Sequence, residues 1–99
     1  MNDYTDIINS SALVMVEFYA TWCPHCRRME PVVEQIRELL AGSVDIYQLD
    51  VDENNEIASE VGVTGTPTFM IYRGGQPVWQ YSGELDGNVL LQKLQSFID

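Results

Sequence analysis

The hydrophobic positions change their spacing several times along the chain, and each spacing predicts a different element. Residues 13–19 are apolar except for Glu17, which is typical of a strand covered on both faces in a parallel sheet. Residues 44–51 alternate apolar and polar side chains and predict a second strand. The segments 68–72 and 77–81 are rich in β-forming residues and flank a glycine-containing turn, which predicts a hairpin.

A long helix is predicted between Cys23 and Gly42. Pro24 suits its first position, because the missing N–H would be unpaired there, and Gly42 is a good stop signal. Pro31 falls inside this helix and is expected to kink it by removing one backbone hydrogen bond. The apolar residues at helical spacing are Met29, Val32, Val33, Ile36, Leu39 and Leu40.

Three shorter helices complete the prediction. One turn is expected over 5–11, a second helix is capped by Asn54 or Asn55, and Asp86 caps the last. The apolar positions of that last helix are Val89, Leu90, Leu94, Phe97 and Ile98. After the first turn the order is β-α-β-α-β-β-α, so we expect an α/β fold with a mixed central sheet and helices on both faces.

The length and composition indicate one small domain over residues 1–99, and the charge disfavours some classes of binding partner. There are 99 residues, 45% of them hydrophobic, with no linker or repeat. Fifteen acidic residues against five basic ones give a net charge of −10. Such a surface repels phosphates, so nucleic acid and anionic membranes are unlikely partners. The charge serves solubility or steers basic partners.

The cellular setting is expected to be the cytoplasm. No apolar run of 18 residues predicts a membrane span, and residues 1–6 lack the basic start and apolar core of a secretory signal. The chain has only two cysteines, too few to staple a secreted scaffold. Their close spacing, at Cys23 and Cys26, instead favours redox chemistry or metal binding.

The cysteine pair lies where a strand gives way to a helix. Cys23 is expected at the N-cap and Cys26 in the first turn, where unpaired N–H groups and the helix dipole favour a thiolate. Cys23, as the outermost thiol, would attack a substrate, and Cys26 would resolve the mixed disulfide. Trp22 either covers the sulfurs or offers a partner a flat surface, or it simply packs in a surface cleft.

Two ionisable residues can tune this pair. His25 lies between the thiols, and a positive imidazole near Cys23 would stabilise the thiolate and raise the reduction potential; alternatively, it is a solvated side chain. At least one of the neighbouring residues Arg27 and Arg28 is expected to be only solvated. Glu17 inside an apolar strand should have a raised pKa and could take the proton of Cys26, unless it lies at a strand end and reaches solvent.

Several motifs together resemble the thioredoxin family. Residues 16–26, V-E-F-Y-A-T-W-C-P-H-C, are similar to the family's active-site segment V-D-F-W-A-x-W-C-G-P-C. Pro31 stands at the family's kink proline, residues 62–68 (G-V-T-G-T-P-T) resemble G-I-x-G-I-P-T, and Gly83 falls at a late glycine. The resemblance covers about residues 12–98. It implies a thioredoxin fold with four strands, the family's first strand being absent.

The resemblance also implies roles for individual residues. Pro67 would be cis and packed beside Cys23, and the backbone of Thr66 would pair with an extended substrate. Glu17 would take the place of the family's buried aspartate, the proton relay for Cys26. The substrates would be protein disulfides. No cofactor is expected beyond a reductase or other thiol partner that supplies electrons, and no metal.

Departures from the family pattern bear on the redox behaviour. The dipeptide Pro24-His25 looks like that of the disulfide oxidase DsbA, although no helical insertion of the DsbA kind is present. Gln48 stands where many thioredoxins carry a lysine, which should leave Glu17 more easily protonated. We therefore predict a potential above that of an ordinary thioredoxin. A cytoplasmic location nevertheless favours net reduction.

Two other readings of the chain stay open at this point. Cys23, His25 and Cys26 could belong to a metal or iron–sulfur module, but a tetrahedral site needs a fourth ligand from elsewhere. A non-catalytic module could instead bind peptides in a groove beside Trp22 and Thr66. The sheet edge left by the missing strand could support a weak dimer, so the chain is expected to be a monomer or a weak dimer.

Overall fold

The computed structural model describes residues 3–98 and shows four helices and four strands in that range. Their order is α1 (Asp3–Ile8), β1 (Leu13–Tyr19), α2 (Pro24–Leu39), β2 (Asp45–Asp50), α3 (Asn55–Glu60), β3 (Thr68–Arg73), β4 (Gln76–Ser82) and α4 (Gly87–Ser96). The predicted alternation of strands and helices is confirmed. The element boundaries agree with the sequence prediction to within a few residues.

The strands form one mixed sheet in the order β2-β1-β3-β4. β1 runs parallel to β2, with Val14 opposite Asp45, and antiparallel to β3. β3 and β4 form the expected hairpin around Gly74 and Gly75, which both have positive φ, a conformation that other residues rarely adopt. The α/β class and the four-stranded thioredoxin sheet are thereby confirmed, with β2 and β4 at its edges.

β1 is central in the sheet and separates two hydrophobic clusters. Leu13 and Met15 pack with α2 and α4, whereas Val14, Val16 and Phe18 pack with α1 and α3. Side chains alternate between the two faces of a strand. Glu17 therefore shares the face of Leu13 and Met15, which is the face covered by α2. This alternation brings a carboxyl group beneath the helix that carries the cysteines.

Capping and helix limits differ from the sequence prediction for α1 and α3 and agree with it for the cap of α4. α1 begins at Asp3 and ends at Ile8, so it lies earlier than the predicted turn over 5–11. Asn54 occupies the N-cap of α3, but its side chain donates to the Asp50 carbonyl at 3.0 Å instead of capping the helix. Asp86 does cap α4, where it accepts from the N–H of Asn88 at 2.8 Å.

Two residues assigned to apolar helix faces are exposed instead. Leu39 on α2 is 63% exposed and Val89 on α4 is 52% exposed. Each residue turns an α-helix by about 100°. Leu39 and Val89 therefore lie at the flanks of stripes whose centres are the buried residues Ile36 and Leu90. None of the helices within residues 3–98 combines the length and the apolar character that crossing a bilayer requires.

The contrast between Leu90 and Val89 gives a matched test of the packing between α4 and the sheet. Leu90 is fully buried in the cluster beneath α2 and α4, so Leu90→Ala should lower the free energy of unfolding by about 2–5 kcal/mol. Val89→Ala should change it by less than about 0.5 kcal/mol, because the side chain is mostly in water. Urea titration of both variants measures the difference, and equal losses would contradict the assigned orientation of α4.

Candidate active site

The two cysteines lie at the N-terminus of α2 as free thiols. Cys23 is the N-cap residue, with extended backbone angles of φ −94° and ψ 111°, and Pro24 follows at the first helical position. The Cys23 Sγ accepts a hydrogen bond from the backbone N–H of Cys26 at 3.2 Å. The sulfur thus takes the capping position that a serine or aspartate oxygen usually occupies. The helix therefore directs N–H groups at the Cys23 sulfur.

The exposure of the two cysteines is equal, which differs from the expectation that Cys23 is the outermost. Each is 3% exposed. Cys23 caps the helix from a loop that packs against the rest of the domain, so its position in the chain does not translate into exposure. Exposure therefore does not distinguish Cys23 from Cys26.

The acidities of the two thiols do distinguish them. Burial opposes ionisation of Cys23, but hydrogen bonds from Cys26, from the Thr66 side chain and from the backbone N–H groups of Cys26 and His25 outweigh it, so its pKa is lowered. Burial, together with the hydrogen bond to Cys23, raises the pKa of Cys26 to about 11. Since the thiolate is the attacking species in thiol–disulfide exchange, the lowered pKa favours Cys23 over Cys26 for that role.

A second loop lies directly against the nucleophile. The Thr66–Pro67 peptide bond is cis, as the resemblance implied. Thr66 is half-buried, and its carbonyl accepts a hydrogen bond from the Cys23 thiol at 3.6 Å. Pro67 is fully buried, so its ring presents no surface to a partner. Gly83 donates its backbone N–H to the Pro67 carbonyl at 2.8 Å and ties a third segment to this loop.

An open groove adjoins the dithiol on the side of α3. Trp22 is 64% exposed, so it does not pack into a cleft, and its Nε1 donates to the Asp52 carboxylate at 2.9 Å. The indole forms one wall of a cavity of about 320 Å³. The other lining residues are Val51, Asn55, Ala58, Ser59, Val63, Thr64, Gly65 and Thr66. The apolar part of this lining includes Val51, Ala58 and Val63, and Thr66 lies at the side next to Cys23.

Glu17 is buried at 2% exposure, so the alternative of a solvent-reaching acid is wrong. Its Oε1 accepts a hydrogen bond from Gln48 Nε2 at 2.9 Å. Burial raises the pKa of Glu17 and outweighs the opposing effect of the Gln48 hydrogen bond. The direction of this shift agrees with the sequence prediction.

The Gln48 amide links Glu17 to a cation that the sequence analysis did not identify. Arg37 donates from Nη2 to Gln48 Oε1 at 2.9 Å and from Nη1 to the Ile46 carbonyl at 2.6 Å. Because the amide oxygen faces Arg37, the amide nitrogen must face Glu17. A cavity of about 300 Å³ runs beside this pair and is lined by Tyr19, Cys26, Glu30, Glu34 and Gln48. The lining of this cavity thus includes both Cys26 and Gln48, the hydrogen-bond partner of Glu17.

His25 is held by a carboxylate that the sequence did not reveal. Its Nδ1 lies 2.5 Å from Glu84 Oε1, and Arg28 pairs with the same oxygen at 2.6 Å. The His25 backbone N–H forms a hydrogen bond that lowers the pKa of Cys23, while its imidazole pairs with Glu84. Arg28 is therefore paired, and Arg27 makes only a 3.4 Å contact with the Thr21 carbonyl.

Glu84 and Asp52 lie far from the cysteines in the sequence, and no local pattern marks them. The only available signal for Glu84 was its position directly after Gly83. Across residues 3–98, no group of three or more histidine, cysteine, aspartate or glutamate side chains is arranged to hold a metal ion.

A capped dithiol beside a cis-proline loop, on a sheet of this topology, defines the class of thiol–disulfide oxidoreductases with a thioredoxin fold. The family model described as Thioredoxin matches residues 1–96. The chain therefore belongs to the thioredoxin family.

Individual relatives agree with this assignment. A thioredoxin of Chlorobaculum thiosulfatiphilum is 38% identical over 97 residues, which are 98% of this chain and 90% of the relative. The bifunctional thioredoxin reductase/thioredoxin of Mycobacterium leprae is 36% identical over 96% of this chain, which spans 21% of that protein. The structure of a mutant thioredoxin from Halobacterium salinarum NRC-1 superimposes with a TM-score of 0.91 at 32% identity, covering 100% of this chain and 86% of that one.

The buried state of Glu17 has a testable consequence for stability. Because its pKa is raised in the folded protein, the folded state binds this proton more tightly than the unfolded chain does. The free energy of unfolding should therefore fall as pH rises from the unfolded value of about 4.3 through the folded pKa. Glu17→Gln removes this loss, so the variant should be more stable than the wild type at pH 8 and similar to it at pH 4.

Glu38→Gln on the exposed end of α2 is the control for removing one negative charge. Urea titrations of the three proteins at both pH values measure the effect. A Glu17→Gln gain no larger than the Glu38→Gln gain, or equal at both pH values, would contradict the raised pKa.

Proposed function

We propose that this chain reduces disulfides in other proteins by cycling Cys23 and Cys26 between the dithiol and the disulfide. The observation that carries the proposal is the difference in acidity between the two thiols, which comes from the hydrogen bonds at the start of α2. Cys23 ionises more readily than an ordinary cysteine, and Cys26 stays protonated until the first step is complete.

The exchange proceeds through one covalent intermediate. The Cys23 thiolate attacks one sulfur of a substrate disulfide, forms a mixed disulfide and expels the other substrate sulfur as a thiolate. Cys26 then loses its proton and attacks the Cys23 sulfur, which releases the second substrate thiolate and leaves the Cys23–Cys26 disulfide. Two electrons pass from the dithiol to the substrate.

Glu17 is the proposed acceptor of the Cys26 proton. Its pKa is raised, so it lies closer to that of a thiol than an ordinary carboxyl's would, and proton transfer becomes less unfavourable. The cavity beside Cys26 and Gln48 has room for water that could carry the proton. The Gln48 amide stabilises the ionised carboxylate before the transfer.

The substrate segment is proposed to bind between Trp22 and Thr66. The exposed indole and the apolar floor of the groove provide area for a side chain next to the substrate disulfide. The Thr66 backbone, close to the Cys23 sulfur, would hold the substrate in an extended conformation. Pro67 would contribute indirectly, because its ring is buried and fixes the position of the Thr66 backbone.

The electron donor is proposed to be a thioredoxin reductase or another thiol donor, with no further cofactor in this chain. Support comes from the Mycobacterium leprae relative, whose name joins a thioredoxin reductase to a thioredoxin. We place the protein in the cytoplasm and assign it net reduction, because thiols there are kept reduced.

Replacement of each cysteine in turn tests the mechanism. Cys23→Ser should reduce insulin disulfides no faster than buffer, because the attacking thiolate is gone. Cys26→Ser should still attack but should accumulate a mixed disulfide, since nothing resolves it. Turbidity of reduced insulin and mass spectrometry of the trapped adduct measure the two outcomes. Retained turnover in Cys23→Ser would refute the assignment.

The reduction potential is proposed to lie above that of an ordinary thioredoxin, for which about −270 mV is the reference value. The support is the lowered pKa of Cys23, which comes from the hydrogen bonds at the start of α2, since stabilising the thiolate stabilises the reduced form. Equilibration with glutathione at pH 7 measures the potential. A value at or below the reference would show that the dipeptide Pro24-His25 has no such effect.

A further inference from the structure

One glutamate ties together two basic side chains that lie close to the dithiol, His25 and Arg28. Glu84 lies in the connection from β4 to α4, 56 residues after Arg28 in the sequence. Its Oε1 accepts from Arg28 Nε at 2.8 Å and Nη2 at 2.6 Å, and it lies 2.5 Å from His25 Nδ1. We call these three side chains the Glu84 cluster. Arg28 Nη2 also lies 2.9 Å from His25 Nδ1, which closes the cluster into a triangle.

The glutamate is held in place from its own side as well. Gly83, the residue before it, has φ +110° and donates its N–H to the Pro67 carbonyl at 2.8 Å. The loop that carries Glu84 is thus bound to the loop beside Cys23. The Glu84 cluster therefore joins the first turn of α2 to the loop after β4, and that loop is hydrogen-bonded to the Thr66–Pro67 loop.

The charges of the cluster matter because positive charge is scarce in this chain. Only five lysines and arginines and one histidine oppose fifteen acidic residues. Arg27, Arg28 and the single histidine all lie within five residues of Cys23. Hydrogen bonds from Arg28 and His25 lower the pKa of Glu84 to about 2, so Glu84 carries its negative charge throughout the neutral range.

Arg28 responds to Glu84 more strongly than to the nucleophile. Its guanidinium pKa is raised first by the hydrogen bond and charge of Glu84, and only to a lesser degree by the charge of Cys23. The Arg28 guanidinium is thus engaged mainly with the Glu84 carboxylate. A guanidinium or imidazole released from that carboxylate would be free to turn towards the sulfur.

We propose that Glu84 is a positioning residue that sets the reduction potential of the dithiol by holding His25 and Arg28 away from the Cys23 thiolate. The inference rests on the proposed disulfide exchange. It explains how this chain carries a histidine between its cysteines without the imidazole contacting the sulfur. Glu84 keeps the thiolate less stabilised, and the disulfide less oxidising, than the Pro24-His25 dipeptide alone would make it.

If Glu84 had a purely structural role, its replacement would affect stability and not the acidity of the thiols. An exposed ion pair contributes little to stability, and its loss would loosen the β4–α4 loop without changing the thiols. The informative readouts are therefore the thiolate titration of Cys23 and the equilibrium with glutathione, with the urea midpoint measured alongside.

The test compares Glu84→Gln, Glu84→Asp and the distant control Glu38→Gln. Glu84→Gln should shift the glutathione equilibrium towards the dithiol by about threefold to tenfold, and tenfold corresponds to about 30 mV for a two-electron couple. Its Cys23 thiolate, followed by absorbance at 240 nm, should form at lower pH. Glu84→Asp keeps the charge but is one methylene shorter, so it should shift both readouts in the same direction. Glu38→Gln should leave both unchanged.

Three results would overturn the proposal. The first is a Glu84→Gln protein with the potential and thiolate titration of the wild type. The second is a Glu84→Asp protein that matches the wild type while Glu84→Gln is shifted, because net charge rather than position would then be responsible. The third is an equal shift when Glu84→Gln is introduced into the His25→Ala, Arg28→Met background. The thiolate titration needs no substrate, so it tests Glu84 even if insulin reduction fails.

Discussion

The hydrogen bond from the Cys26 backbone N–H to the Cys23 sulfur is the interaction on which the site depends. A sulfur in the N-cap position receives the unpaired donors of the helix, so folding α2 also prepares an anion site. Pro24 fits this arrangement, because it lacks the one N–H that would otherwise compete for a partner. The same geometry leaves Cys26 inside the first turn, where the neighbouring sulfur and burial keep it protonated. One local structure thus gives the two cysteines different acidities.

The central strand provides the second part of the chemistry. Alternation along β1 directs Glu17 towards α2, where burial raises its pKa. Position 48 holds a glutamine and not a lysine, so the link between the Glu17 carboxyl and a cation runs through a side-chain amide. Arg37 on α2 orients the Gln48 amide, which in turn donates to Glu17. The buried acid is therefore coupled to the helix that carries the thiols, as well as to the neighbouring strand.

Local features were predictable from the sequence, and contacts between distant segments were not. β1, the capping role of Cys23 and the Asp86 cap follow from spacing and residue type over a few positions. The pairing of His25 with Glu84 does not, because it depends on how the β4–α4 loop docks against α2. A residue with two possible environments, such as Glu17, could be assigned only when the fold showed which one it has. Sequence thus predicted the cysteine pair and its place at the start of a helix, whereas the structure showed which distant side chains lie around it.

The most direct test of this account is the separate titration of both thiols in the reduced protein, followed by NMR of cysteines labelled with ¹³C at Cβ. The account predicts that Cys23 titrates below the ordinary value of a free cysteine and that Cys26 titrates at about 11. Joint titration of the two thiols near the ordinary value, or Cys26 ionising before Cys23, would contradict the claim that the helix N-terminus makes Cys23 the nucleophile.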